Sequence, residues 1–141
     1  MPFCVFCGHS SVIFFLGLTP VIWGARNYVS FSGSHTPPFT SWAIAATDIQ
    51  SAIDVASNGD TVLVTNGTYS TGGVSVFGTN RIAINKPITV RSVNGPTFTV
   101  IEGQGLLGSN AVRCAYMVSG AKIDRIHPDK WVYPNFYGCR K

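Results

Sequence analysis

This chain is short of charge. Charged residues make up 11% of its 141 positions, against roughly a quarter in an average soluble domain. Only six carboxylates are present: Asp48, Asp54, Asp60, Glu102, Asp124 and Asp129. None pair at strand spacing, so neither the oxygen-rich cage that a hard cation needs nor the paired acids of glycoside hydrolysis can be placed. The formal charge of +4 is concentrated at one end. From Ala121 to Lys141 there are five Lys or Arg and two Asp, and no basic stripe with interleaved aromatics precedes them. The electrostatic footprint of a nucleic-acid binder is absent. Cysteine is equally sparse. "CVFCGH" (Cys4 to His9) offers one CxxC, but no second pair completes a structural zinc site, and no strand–helix context supports a redox motif. We expect no cofactor and no metal. Low charge with 45% apolar residues excludes disorder as the general state.

What the chain does have is turn chemistry and short β-branched runs. It contains 15 glycines, with Thr, Ser, Asn and Val also common. The uncharged run "SSVIFFLGLTPVIWGA" (Ser10 to Ala25) has the length and small-residue flank of a secretory h-region, with cleavage near Ala25. Residues 1–25 are therefore read as a signal peptide and the protein as secreted or cell-surface; an uncleaved anchor, a mistaken start codon or a buried segment are the other readings. The run is short and interrupted by Pro20, so no stable membrane span is expected. Cleavage would leave Cys114 and Cys139, able to form one bridge or none.

One helix is expected, in the segment Thr40 to Asp60. Ile49, Ala52, Ile53 and Ala56 recur at helical spacing, Thr47 or Asp48 can cap the start, and Asn58-Gly59 can stop it. Trp42 and Ile44 lie just ahead and could pack against the next layer. After Gly59 the period changes to that of strands. "TVLV" (Thr61 to Val64), "VSVF" (Val74 to Phe77), "RIAI" (Arg81 to Ile84), "ITVRSV" (Ile88 to Val93) and "FTVIEG" (Phe98 to Gly103) follow one another, separated by Asn/Gly/Pro turns and no helix. "TVLV" begins at 61, "ITVR" at 88 and "VRCAYMV" at 112. Such a recurrence is the period of a β-solenoid, although a sandwich or jelly roll fits the strands as well.

The run from "YVSFSG" through "TSWAIAATDIQSAIDVASNGDTVLVTNGTY", followed by "NRIAINKPITVRSVNGPTFTVIEGQG", resembles the start of bacterial secreted right-handed parallel β-helix proteins of the pectin-lyase-like superfamily. The resemblance covers about residues 27–118. It implies an all-β right-handed parallel β-helix with a short N-terminal capping helix. In that pattern Tyr28 to Ser30 is the opening strand and Ser41-Trp42 leads into the cap. Gly59, Asp60, Thr61, Val62, Val64, Gly67 and Tyr69 form the first rung, with Val62 and Val64 inward and Asn66-Gly67 at a corner. The residues singled out are structural: Trp42, Ile49, Ile53, Gly59, Asp60, Val62, Val64, Gly67 and Tyr69.

Residues 26–120 are thus read as cap and first coils. Residues 121–141, "KIDRIHPDKWVYPNFYGCRK" after Ala121, look unlike another rung and are read as a divergent basic tail on an incomplete, truncated solenoid whose further coils are missing. Superfamily lyases use clustered Asp with calcium and a basic residue; no such cluster is present here. "GQGLLG" (Gly103 to Gly108) matches the dinucleotide fingerprint in letters, with Asp124 near the position of a ribose-binding acid. It follows several helix-free strands, and its glycines suit a coil corner. Arg81 and Arg91 are expected on the solvated face, Asp60 as a turn former, Tyr69 in rung packing, and His35 in a loop. Asn66 fits a glycosylation sequon, though Asn-Gly is first a turn. The expected function is a non-catalytic structural or adhesive surface protein, associated with polysaccharide or cell-surface glycan. The alternative is the non-catalytic start of a polysaccharide lyase or glycoside hydrolase of that superfamily.

Overall fold

A computed structural model of the protein describes residues 24–105 and 110–129. Most of the segment read as a signal peptide, the sequence beyond 129 and the second half of "GQGLLG" lie outside the described residues, as do Cys4, Cys7 and Cys139. Strands predominate. They are β1 (Arg26–Val29), β2 (Thr61–Val64), β3 (Gly67–Tyr69), β4 (Val74–Ser75), β5 (Thr79–Ile84), β6 (Thr89–Ser92), β7 (Thr99–Glu102), β8 (Val112–Met117), β9 (Lys122–Asp124) and β10 (His127–Asp129). One short helix, α1 (Ile49–Val55), stands between β1 and β2.

Three sheets result, ordered β1-β2-β6-β9, β10-β7-β3 and β4-β5-β8. Every pairing is parallel except that of the β4–β5 hairpin. From β2 onward the chain visits the first, second and third sheets in that order, returns to the first, and repeats. Thr61 stands level with Thr89, 28 residues on (61 to 89), and Thr89 with Lys122, 33 residues on (89 to 122).

Alternation along each strand decides what points inward. In β2, Val62 and Val64 are fully buried while Thr61 and Leu63 are half-buried. Register then stacks like on like, giving rows Val62–Val90–Ile123 and Tyr69–Ile101. Ile82 and Ile84 face Ala115 and Met117 in the third sheet. One continuous apolar cluster joins these rows to Val29, Phe39 and the helix stripe Ile49, Ala52, Ile53 and Ala56. Asp48 caps α1, accepting the Ser51 amide at 2.8 Å and the Ser51 hydroxyl at 2.7 Å. At Ala56 the backbone turns extended, and Gly59 follows with φ of 87°.

Several expectations are corrected. "VSVF" yields only the two-residue β4, because the chain bends back at Phe77-Gly78, both at positive φ. "VRCAYMV" does not continue the sheet of "TVLV" and "ITVR"; it pairs with β5, and Lys122–Asp124 continues that row instead. The segment read as a tail unlike another rung therefore supplies β9 and β10 in its first part. Gly67–Tyr69, treated as corner and packing residues, is itself a strand paired with β7. Trp42 does not reach the core: it is 42% exposed, with its ring edge on Tyr28 at 4.5 Å.

Candidate functional site

The polar side chains of this fold concentrate where the cap meets the first strands. Asp60, buried at the end of the turn after α1, accepts the Ala25 amide at 2.7 Å through one oxygen and the Ser57 amide at 2.7 Å through the other. It ties the entry of β1 to the exit of the helix. Lys86 reaches back from the turn before β6 and donates to the carbonyls of Ile53, Asp54 and Ala56 at 2.7–2.9 Å. A cation is favourable there, since these carbonyls are the orphan acceptors at the negative end of the helix. Gln50 acts as a strand surrogate. Its carbonyl accepts the Ala83 amide at 2.8 Å and its amide donates to the Ala83 carbonyl at 3.3 Å, covering the free edge of β5.

Sequence reasoning missed Lys86 and Gln50. The only available signals were a lysine in a turn and a polar residue at the start of a helix.

Tyr69 lies in the interior, stacked on the Phe31 ring at 4.6 Å, and its hydroxyl donates to the Thr65 carbonyl at 3.2 Å. Burial raises its pKa above the ordinary phenol value, the Thr65 hydrogen bond opposing this in part. Asn94 donates to the Asn66 side chain at 2.8 Å, so the two asparagines stack at successive corners. His35, at positive φ, accepts the Thr47 amide on Nδ1 at 3.0 Å and braces the loop before the helix. Its role is structural.

Arg81 is a clear correction. It is buried at 6% exposure, donating from Nε to the Glu102 carbonyl at 2.8 Å and from Nη1 to the Gly72 carbonyl. Arg91 is on the solvated side as expected, half-exposed and paired with Asp124 at 3.1 Å.

Beside Arg81 a cleft of about 390 Å³ opens between the helix start and the loop after β3. Its lining includes Asp48 and Gln50 from the helix start, Thr71, Gly72 and Gly73 from the loop, and Tyr69 and Arg81 from the strands. Cys114 lies across β5 from this region, with its thiol on the Asp129 carbonyl at 2.8 Å. Burial, foremost, raises the thiol pKa.

A hydroxyl–imidazole contact is present, His35 Nδ1 with Thr47 Oγ1 at 2.8 Å, and the same nitrogen also accepts the Thr47 amide. Among the described residues no three His, Cys, Asp or Glu side chains gather as metal ligands. None of the described helices is long and apolar enough to cross a membrane. The dinucleotide reading of "GQGLLG" loses its helix, because Val112–Met117 is a strand. No protein-family model matches the chain, and neither does any curated protein or solved structure.

Proposed function

We propose that the chain is the N-terminal cap and first coils of a right-handed parallel β-helix of pectin-lyase-like type, serving as a non-catalytic scaffold at the cell surface or outside the cell. Its stacked faces would be presented to polysaccharide or cell-surface glycan. The observation that carries this reading is the cyclic order of parallel strands through three sheets, with a helix at the N-terminal side of the stack. Supporting it, the rows of equivalent residues run at right angles to the strands, as a solenoid requires. The carboxylates of the described residues do not cluster, which favours scaffold over catalyst. The extracellular location rests on the apolar run Ser10–Ala25.

The test is affinity electrophoresis of the purified chain through gels containing neutral and acidic polysaccharides, with a parallel assay for new reducing or unsaturated ends. Retardation without chain cleavage is expected. Cleavage would replace this reading with that of a lyase or hydrolase, and absence of retardation in every gel would remove the glycan partner. For the coil itself, Leu63→Cys with Arg91→Cys, and Thr68→Cys with Val100→Cys, place thiols at level positions in two different sheets. Both pairs should crosslink in one molecule; crosslinking of only one pair would sink the stacked arrangement.

A further inference from the structure

Two charged side chains are buried among the described residues, Asp60 and Arg81. They are satisfied very differently. Both Asp60 oxygens accept backbone amides at 2.7 Å. Arg81 forms no ion pair among the described residues, and its hydrogen bonds engage Nε and Nη1 only. Nη2 is left without a partner there. The sole fully occluded side-chain atom lacking a partner among the described residues is Asn27 Oδ1, so Nη2 is not sealed in. Arg81 lines the adjoining cleft, the open space from which its unused edge can be reached.

A guanidinium held out of water with one donor edge unused is costly unless an acceptor arrives, and a charge-assisted hydrogen bond donated to a carboxylate is the strongest available. The two carbonyl bonds also fix the plane of the guanidinium in advance, so little further ordering is needed to bind.

The rest of the cleft limits what that anion can be. Asp48 also lines the cleft, and its negative charge disfavours a second one on the ligand. Asp48 accepts from Ser51 twice, yet a carboxylate offers about four acceptor positions, leaving room for a ligand hydroxyl. Thr71 is exposed on the rim and supplies a further hydroxyl. The volume of about 390 Å³ lies at the small end of the range for ligand pockets, roughly 300–1,000 Å³.

We propose that this cleft is a binding site for a small hydroxylated monocarboxylate, its carboxylate on Arg81 and its hydroxyl groups toward Asp48 and Thr71. The site lies at the junction of cap and first strands and does not depend on any glycan bound along the stack.

The test is an NMR titration of the ¹⁵N-labelled full chain with sodium glycerate at constant ionic strength, with glycerol and inorganic phosphate as comparison probes. Glycerate should produce saturable shifts confined to Gln50, Gly72, Gly73 and Arg81. Glycerol, lacking the charge, should leave them unmoved, and phosphate should bind more weakly because of Asp48. Thr71→Glu alters only the rim and should weaken glycerate binding about three- to tenfold. Asp48→Asn preserves a competent helix cap and should improve phosphate binding more than glycerate binding. Arg81→Gln should abolish the response; should it fail to fold, Thr71→Glu carries the test. Equal footprints for glycerol and glycerate, phosphate binding as tight as glycerate, or indifference to Thr71→Glu would each overturn the proposal.

Discussion

The two ends of the strand stack are built on opposite principles. At the N-terminal end each sheet has its own cover. In the first, β1 adds a strand whose outer edge is closed by Ala46 and Phe39, through bonds of 2.8–2.9 Å from Ser30 to Ala46, Ala46 to Tyr28 and Tyr28 to Phe39. In the second, the Phe31 ring lies on Tyr69. In the third, Gln50 takes the hydrogen bonds that another strand would take from Ala83. At the other end the outermost described strands are β8, β9 and β10, and the apolar side chains there (Ala115, Met117, Ile123) are only partly buried. Edge strands attract further strands. The stack is thus covered sheet by sheet on its N-terminal side, by three different devices, whereas β8, β9 and β10 are the outermost strands among the described residues on the other side.

The largest test of this asymmetry is one substitution made at both ends. Ile53→Ala removes a fully buried side chain under the cap and should cost about 2–5 kcal/mol, whereas Ile123→Ala should cost under about 2 kcal/mol. Urea midpoints measure both, and equal losses would erase the distinction. Hydrogen exchange should agree, with amides of β2 outlasting those of β9.

Next in size is Lys86→Met, which keeps the stem and loses three bonds to helix carbonyls. We expect about 2 kcal/mol of destabilisation, with loss of helical signal but little change in exchange at β9.

An alkaline titration comes third. Cys114 and Tyr69 both have folded pKa values raised by burial, so the unfolded chain releases their protons first. Their contribution is intact at neutral pH and falls away as pH rises, beginning above about 8.5 for the thiol and about 10 for the phenol. Cys114→Ala should remove the first decline and Tyr69→Phe the second. Tyr69→Phe should also cost about 1 kcal/mol at neutral pH from its hydroxyl bond.

The smallest effect belongs to Asp124→Asn, which breaks the half-exposed pair with Arg91. At most about 0.5 kcal/mol should be lost, and less at high salt.

Much of this fold could be read in advance because β-branched runs and Asn/Gly turns mark strands locally. The helix stripe and a cap at Thr47 or Asp48 followed from spacing and residue type, Asp60 from turn chemistry, and the inward Val62 and Val64 from the resemblance. What escaped has a common physical cause. Gly67-Thr68-Tyr69, "KID" and "HPD" are strands because a neighbouring edge supplies hydrogen bonds, and backbone pairing does not require β-branched side chains. Arg81 was expected on the solvated face. The outward face of β5 is in fact sheltered at that point, and the Glu102 and Gly72 carbonyls come from segments well separated in sequence. Lys86 and Gln50 likewise act on partners about thirty residues away. The candidate cleft is built almost wholly from such long-range meetings, which explains why no motif announced it.

The connections between strands carry one more consequence. Passing from the third sheet back to the first takes four residues each time, 85–88 and 118–121. From the second sheet the first circuit reaches the third through the β4 hairpin strand, which lies between β3 and β5. The short corner meters the stack like the tooth spacing of a rack. The corner after β3 is of another kind: it folds β4 back on β5 and brings Thr71, Gly72 and Gly73 to the candidate cleft. The spacing of the turns and the local structure of that corner can therefore change independently of each other.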